Sequence, residues 1–236
     1  MNIYIDNNVL IDHEENKDIL PIREDLRYYY SYIHIDEMIE LGDKLEEKKS
    51  KRLEAIRVLT KGKCLLNNDD YEVTAFNMDP DSIFSICLSP SYSTGWENLK
   101  ELQSQFEIKE KRDAIIKILK IDVRRLNNYS VNELVQKYGA DLYNYVNLSS
   151  MNTQTAFQSL FNFLDMIGFW ADKFTAKSNM ARCYDANHAY FASYCNYFVT
   201  NDKRTMNKAN VAYQLWGYKT IAISKTDFVS QALSDL

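Results

Sequence analysis

Glycine, proline and histidine are scarce in this chain. The sequence holds 6 glycines, 3 prolines and 3 histidines among 236 residues, which excludes collagen-like, proline-rich and glycine-rich linker segments. The glycine patterns of the P-loop and of the GxGxxG dinucleotide site do not occur, and nothing local indicates a Ser/His/Asp or Cys/His nucleophilic site. The chain therefore lacks the common sequence patterns of nucleotide binding and of nucleophilic catalysis.

Long apolar runs and paired cysteines are also missing. The most apolar stretch, residues 156–171, is interrupted by Gln158, Asn162 and Asp165, so it predicts a packed helix rather than a membrane span. The first residues do not follow the basic, apolar, small-residue order of a signal peptide. Four cysteines without CxxC spacing favour reduced thiols. We expect a cytoplasmic protein that does not bind a membrane.

The charge of the chain is unevenly distributed. The net charge is −5, which at first argues against a nucleic-acid partner. Two segments are nevertheless basic: residues 43–63 hold eight Lys/Arg against four Asp/Glu, and residues 201–225 hold five against one. An acidic body with two basic segments is compatible with a local polyanion-binding surface, although a solvated helix face is an equal alternative for residues 43–63.

Hydrophobic patterning predicts strands and helices at both ends of the chain and a mostly helical middle. Tyr and Ile enrichment indicates a second strand over residues 28–35, with a helix beginning at Asp36. Ser130 and Glu133 form a capping-box pattern that opens another helix. Further strands are predicted near residues 3–6, 197–200 and 219–223, and short strands or loops over 64–94. A helix is predicted from about residue 8, and further helices near 43–61, 96–120, 153–171, 179–194 and 207–215.

Two apolar strands each end in a carboxylate. Asp6 follows the first strand, and Asp202 follows the strand near residues 197–200. If these strands are parallel, both acids lie at the edge where open α/β folds place their sites. Clustered carboxylates repel one another unless a divalent cation neutralises them, and oxygen ligands suit Mg²⁺ and Mn²⁺. The pattern therefore predicts a metal-dependent enzyme.

Four segments together resemble the PIN-domain nucleases. Tyr4–Leu10 resembles that family's opening strand and first acid, and His34–Ile39 resembles its second strand and the following helix with a Glu. Asp185–Ala192 resembles the third acid, and Phe198–Lys203 the late strand with the fourth acid. The late block is the most specific part of the resemblance.

The resemblance implies a three-layer α/β fold, PIN-like, with a central parallel sheet flanked by helices. It further implies a single nuclease domain over residues 1–236, with a mostly helical insertion at about 65–178 that enlarges the middle. The implied activity is hydrolysis of phosphodiester bonds, most often in RNA, by a toxin-type or RNA-decay endonuclease. Structured RNA and tRNA are among the substrates this implies.

The resemblance also implies a site. It places Asp6, Glu37, Asp185 and Asp202 as catalytic residues and as ligands of one or two Mg²⁺ or Mn²⁺ ions. Supporting residues would be Asn8, Glu40 and Thr200, and the expected phosphate contacts are Lys203, Arg204 and Lys208.

The sequence is compatible with several alternatives. Asp185 could be a helix N-terminal acid, Asp202 a turn residue, and Glu37 has Asp36 and Glu40 as competitors on the same helix. The protein could be a DNA or flap-type nuclease, or a non-catalytic module that binds a protein or a nucleic acid. It could also act as a toxin-like effector held by an inhibitory partner protein, or assemble as a homo-oligomer.

Overall fold

The chain forms two compact units in a computed structural model. The described residues are 1–15, 17, 20–68, 72–92, 109–150, 152–173 and 175–234. The first unit contains the described residues of 1–96, 191–203 and 220–236, and the second contains those of 97–190 and 204–219. The chain therefore leaves the first unit and returns to it twice.

A six-stranded, mostly parallel sheet is the centre of the first unit. The strands are β1 (Asn2–Ile5), β2 (Arg27–Ser31), β3 (Lys63–Asn67), β4 (Val73–Asn77), β5 (Tyr197–Val199) and β6 (Ile221–Ile223). They lie in the order β4-β3-β2-β1-β5-β6, and only the β3–β4 pair is antiparallel. In the register, Ile3 faces Tyr28 on one side and Tyr197 on the other. The predicted central parallel sheet is confirmed.

Buried residues on both faces explain why β1 is a central strand. Ile3, Tyr4 and Ile5 are all fully buried, as expected for a strand of a parallel sheet that is covered on both faces. Among the described residues, the α-helices of the first unit are α1 (Asn7–Glu14), α2 (Tyr32–Ile39), α3 (Leu45–Thr60), α4 (Pro80–Cys87) and α10 (Lys225–Ser234). Ile3 and Ile5 belong to the same apolar core as Val9 of α1 and Leu53 of α3.

The prediction that the second strand continues to Ile35 is wrong. The strand β2 ends at Ser31, and α2 begins at Tyr32. The Ser31 backbone N–H donates to Nδ1 of His34 at 3.2 Å, which closes the first turn of the helix. The other His34 ring nitrogen lies 2.8 Å from the Ile5 carbonyl oxygen. A local cap and a contact with β1 thus outweigh the β propensity of the tyrosine-rich run.

The described part of the second unit is helical. Its helices are α5 (Lys109–Ile118), α6 (Val131–Ser149), α7 (Thr153–Ile167), most of α8 (Ala176–Ala192) and most of α9 (Lys203–Trp216). The predicted capping box is present, since Ser130 N–H donates to Glu133 Oε2 at 2.7 Å. The part of the predicted helix 96–120 that precedes residue 109 lies outside the described residues.

The helix α7 is buried on several sides, as its composition predicts. Phe157, Phe161 and Leu164 are fully buried, and the Phe157 ring contacts the ring of Trp216 at a centroid distance of 4.8 Å. The helix ends before Gly168, which has a φ of +94°. A residue with a side chain is strained there, so the helix is shorter than the predicted 153–171.

All four cysteines are buried free thiols, and burial raises the pKa of Cys64 and Cys195 to about 12. A thiol with so high a pKa is a weak nucleophile at neutral pH.

In the parts of the chain that the structure describes, no helix is both long enough and apolar enough to cross a membrane.

Candidate functional site

Asp6 is held by three neutral hydrogen-bond donors at the carboxyl end of β1. Its backbone N–H donates to Val199 O at 2.9 Å, so the pairing with β5 extends to this residue. The residue is only 4% exposed. Asp6 Oδ1 accepts from Asn7 N–H at 2.7 Å, and Oδ2 accepts from Asn8 Nδ2 and Thr200 Oγ1, both at 2.6 Å. These donors orient the carboxylate and replace the water lost on burial.

The loop after β5 is joined to the same group. Thr200 Oγ1, which donates to Asp6, accepts from the Asp202 backbone N–H at 3.0 Å. Asn8 Oδ1 accepts from the Asn201 N–H at 3.1 Å. Asp202 is partly buried and lies at the same edge of the sheet as Asp6, because β1 and β5 are parallel and both acids follow the strand ends. The structure thus brings Asn8, Thr200 and Asp202 to Asp6.

Glu37 joins this group through Asn7, a residue that the sequence-based predictions missed. Asn7 Nδ2 donates to Glu37 Oε2, while the Asn7 backbone N–H donates to Asp6. The Asn7 side chain is buried, and its Oδ1 has no hydrogen-bond partner among the described residues. An unsatisfied buried acceptor costs about 1–3 kcal/mol, and an amide oxygen is a ligand that hard divalent cations prefer.

The surroundings of Asp36 and Glu40, the two alternatives to Glu37, favour Glu37 as the acid of this group. Asp36 is buried, and its Oδ2 accepts from the Tyr92 hydroxyl at 2.6 Å. Glu40 is exposed and caps the carboxyl end of α2. Of these acids, Glu37 is the one whose carboxylate accepts the Asn7 amide.

The donor set of the first unit fits a magnesium or manganese ion with few protein ligands. Asp6 and Glu37 supply carboxylates, and Asn7 supplies an unpartnered amide oxygen. Mg²⁺ is usually bound through one or two carboxylates, with water and substrate phosphate completing its shell. Within the described ranges no group of three or more His, Cys, Asp or Glu side chains could hold a metal ion. The candidate set is therefore two carboxylates and an amide oxygen.

Asp185 belongs to the second unit and lies in the interior of α8. The helix begins at Ala176, more than two turns earlier, so the alternative of a helix N-terminal acid is excluded. Asp185 is partly buried. Burial lowers the pKa of Lys208, but the charges of Asp165, Asp185 and Asp172 outweigh it and the net pKa is raised. Asp185 thus acts electrostatically on Lys208.

Lys208 does not fit its expected role as a phosphate contact, which is a correction. Its side chain is fully buried, and its ammonium binds Asp165 Oδ1 at 2.9 Å and Asp172 Oδ2 at 3.1 Å. Asp165 is also bound by the buried guanidinium of Arg182. A lysine enclosed in this way has its charge compensated inside the protein and cannot reach an external phosphate without breaking both ion pairs.

Lys203 and Arg204 lie in the first turn of α9, which begins four residues earlier than predicted, and both are exposed. Arg204 Nη1 binds Asp172 Oδ1 at 2.7 Å. Burial raises the pKa of Asp172, but Lys208 and Arg204 outweigh it, so the net pKa is lowered. The phosphate-binding role of Lys203 and Arg204 remains a prediction.

Lys225 is a second residue that the sequence-based predictions did not single out. It follows β6, and its buried ammonium binds Asp12 Oδ2 at 3.1 Å. Asn201 Nδ2 donates to the same oxygen at 2.8 Å, and the Asn201 N–H contacts Asn8. Lys225 is therefore linked to the Asp6 group through three residues. Its position just after a short apolar strand, like that of Asp6, was the available signal.

Comparisons of the chain with protein-family models, with curated proteins and with solved structures returned no match.

Proposed function

We propose that the protein is a divalent-metal-dependent nuclease that hydrolyses phosphodiester bonds in RNA. The observation that carries the proposal is the Asp6–Asn7–Glu37 arrangement at the carboxyl edge of the sheet. Asn7 links the two carboxylates through its backbone N–H and its side-chain Nδ2, and its buried Oδ1 has no hydrogen-bond partner among the described residues. A hard cation would satisfy that oxygen and offset the repulsion of the carboxylates. The PIN resemblance of the same segments supports the assignment to RNA.

Each residue of this group has a separate task in the proposal. Asp6 and Glu37 bind the ion, and Asn7 adds its carbonyl oxygen. Asn8 and Thr200 act as positioning residues, since their donors fix one oxygen of Asp6. A bound Mg²⁺ or Mn²⁺ would lower the pKa of a water molecule and stabilise the departing oxygen. Asp202 completes the site from the loop after β5, or binds a second ion.

Asp185 remains a proposed catalytic residue on the strength of the resemblance alone. Its charge already acts on Lys208 within the second unit. Replacement by Asn, which keeps the shape of the side chain, separates the two roles. Loss of cleavage with unchanged thermal stability supports catalysis, whereas a loss of stability with retained cleavage indicates a structural charge.

The test combines cleavage with metal binding. Purified protein is incubated with a labelled single-stranded RNA and with DNA of the same sequence, in EDTA, Mg²⁺ or Mn²⁺. We expect RNA cleavage in Mn²⁺ that Asp6→Asn and Glu37→Gln abolish. Asp43→Asn, which removes an exposed acid from the same unit, should cleave like the wild type. Titration calorimetry with Mn²⁺ should give a binding isotherm that Asn7→Ala weakens.

A binding module without catalysis is the second candidate. It is favoured by the finding that no three acidic, His or Cys side chains converge on a metal position in the described part of the chain. RNA bound without cleavage in Mn²⁺, together with no Mn²⁺ isotherm, would replace the nuclease proposal by this one. Cleavage of DNA but not RNA would change the proposed substrate from RNA to DNA and would not contradict the proposed metal site.

A further inference from the structure

Three cations lie at the amino edge of the sheet, opposite to the Asp6 group. Arg27 is the first residue of β2, Lys63 is the first residue of β3, and Lys61 lies just before β3. Asp6 lies at the other edge, because β1 runs parallel to β2 and Asp6 follows its end. Arg27, Lys61 and Lys63, here called the cationic edge, line one recess together with Glu24.

The cationic edge differs from neighbouring cations in its lack of ion pairs. On α3, Arg57 binds Glu54, Asp79 and Asp81, and Arg52 binds Glu14. In contrast, no described residue forms an ion pair with the three members of the cationic edge. Their charges are therefore available to an external anion.

The backbone at Lys61 is held in an unfavourable conformation. Lys61 ends α3 with a φ of +53°, a region that favours glycine and costs an L-residue roughly 1–2 kcal/mol. Gly62 follows with a φ of +75°, and a Cβ there would lie 2.9 Å from Asn77 Oδ1. Position 62 therefore holds a glycine, because a side chain there would clash with Asn77. Position 61 also has a positive φ but holds a lysine. Residues in such conformations cluster at active sites, ligand-binding segments and switch regions.

An aromatic ring lies beside these cations. A second recess, adjoining the first through Lys61 and Lys63, is lined by Phe76, Tyr29 and Asn77. The Phe76 side chain is 42% exposed on the edge strand β4. Cations that track a phosphate backbone, combined with an exposed ring on which a base can stack, are the elements of single-strand nucleic-acid binding.

We propose that the cationic edge binds the backbone of single-stranded RNA as a second contact region, remote from the cleavage site. This inference rests on the proposed function for the choice of RNA. The occupant is a single strand because the recesses combine charge with an exposed ring, whereas a phosphate headgroup or an acidic peptide would use the charge alone. Its role is to hold a substrate whose cleaved segment lies at the opposite edge of the sheet.

Equilibrium binding in EDTA tests this without cleavage. The anisotropy of a short fluorescein-labelled oligouridine is titrated with protein at several salt concentrations. The double variant Lys61→Gln/Lys63→Gln should lose about tenfold in affinity, and its log–log salt slope should fall by about 1.4, or about 0.7 for each phosphate contact. The matched control Lys44→Gln/Lys51→Gln removes two exposed cations of the same basic segment and should bind like the wild type.

Lys61→Gly separates binding from folding. Glycine relieves the left-handed strain at the end of α3, so the thermal midpoint should rise while RNA affinity falls. Phe76→Ala should weaken binding with an unchanged salt slope. Unchanged affinity of both the Lys61→Gly and the double variant would overturn the proposal, and so would equal losses in the matched control. Loss of binding to phosphatidylserine vesicles but not to RNA would assign the surface to a membrane instead.

Cleavage and binding assays on the same proteins distinguish this proposal from the proposed function. If the wild type does not cleave RNA but the double variant loses affinity, the nuclease assignment fails and the binding surface stands. If the wild type cleaves RNA and the double variant binds normally, the binding surface is wrong and the nuclease assignment is supported. Absence of RNA binding by the wild type at low salt overturns the binding surface.

Discussion

Asp6 in the first unit and Asp165 in the second are both buried carboxylates, yet different groups satisfy them. Asp6 accepts hydrogen bonds from two amide N–H groups and a hydroxyl, all neutral. Asp165 binds two cations, the guanidinium of Arg182 and the ammonium of Lys208. Neutral donors orient a negative charge without cancelling it, whereas the ion pairs of Asp165 compensate it inside the fold.

This difference suggests a binding role for Asp6 and a structural role for Asp165. A carboxylate that is held by neutral donors can attract a divalent cation, and the neighbouring Asn7 carries an unpartnered buried oxygen. A carboxylate already compensated by Arg182 and Lys208 has little to gain from a further cation, and removal of one partner leaves buried charges uncompensated. Mutations at the two places should therefore differ in kind, one affecting metal binding and the other folding.

The largest effect should come from Asp165. Replacement by Asn leaves the charges of Arg182 and Lys208 buried without their shared carboxylate, so the free energy of unfolding should fall by about 3–5 kcal/mol. Urea denaturation followed by far-UV circular dichroism measures this. Asp141→Asn, on the exposed face of α6, is the control and should change little. A loss below about 1 kcal/mol for Asp165→Asn, the value of a surface pair, would break the comparison.

Asp6→Asn should lower the unfolding free energy less and remove the response to metal. The variant loses charged hydrogen bonds, each with a net contribution of about 1.5–3 kcal/mol, but an amide still accepts some of them. In the wild type, Mn²⁺ at about 100 times its Kd should raise the free energy of unfolding by about 2.7 kcal/mol. Calorimetric scans with and without Mn²⁺ should show this rise in the wild type and in Asp165→Asn, and not in Asp6→Asn.

The position of Asp6 and Asp202 at one edge of the sheet could be predicted from sequence, because the prediction uses only residues that are adjacent in the chain. Asp6 and Asp202 each follow an apolar strand, and the carboxyl ends of parallel strands meet at one edge. The start of α2 could not be predicted in the same way, since it depends on His34 contacting Ile5 across the sheet. The tyrosine-rich run by itself favours a strand.

Lys208 shows where sequence reasoning fails. In the sequence it is one basic residue in a segment that holds five Lys/Arg against one acid, which suggests an external anion. Its partners Asp165 and Asp172 lie far earlier in the chain, and only the packing of α9 within the second unit brings them together. Asn7 was missed for a related reason, because an unpartnered oxygen is a property of the folded environment and not of the residue type.

Replacement of Asn7 tests the proposed metal site. Asn7→Asp puts a third carboxylate beside Asp6 and Glu37, so the metal-free protein should lose about 1 kcal/mol through repulsion. Mn²⁺ should then bind more tightly, because the ligand oxygen carries charge. Titration calorimetry and urea denaturation measure the two effects. Weaker Mn²⁺ binding together with greater metal-free stability would show that the Asn7 oxygen does not face the ion.

The smallest expected effect is a difference in acid sensitivity between the two units. Burial, together with the charge of Lys225, lowers the pKa of His13 in the first unit from its ordinary value near 6.5. The unfolded chain therefore takes up a proton below about pH 6.5 that the folded unit resists, and stability is lost as the pH falls further. In the second unit the lowered pKa of Asp172 contributes stability that is lost only below about pH 4.

Urea denaturation of wild type and His13→Gln at pH 7.5 and pH 5.5 isolates the histidine, since both proteins share all other titrating groups. We expect the wild type to lose slightly more stability than the variant over this interval, and equal losses would assign the acid sensitivity to other groups.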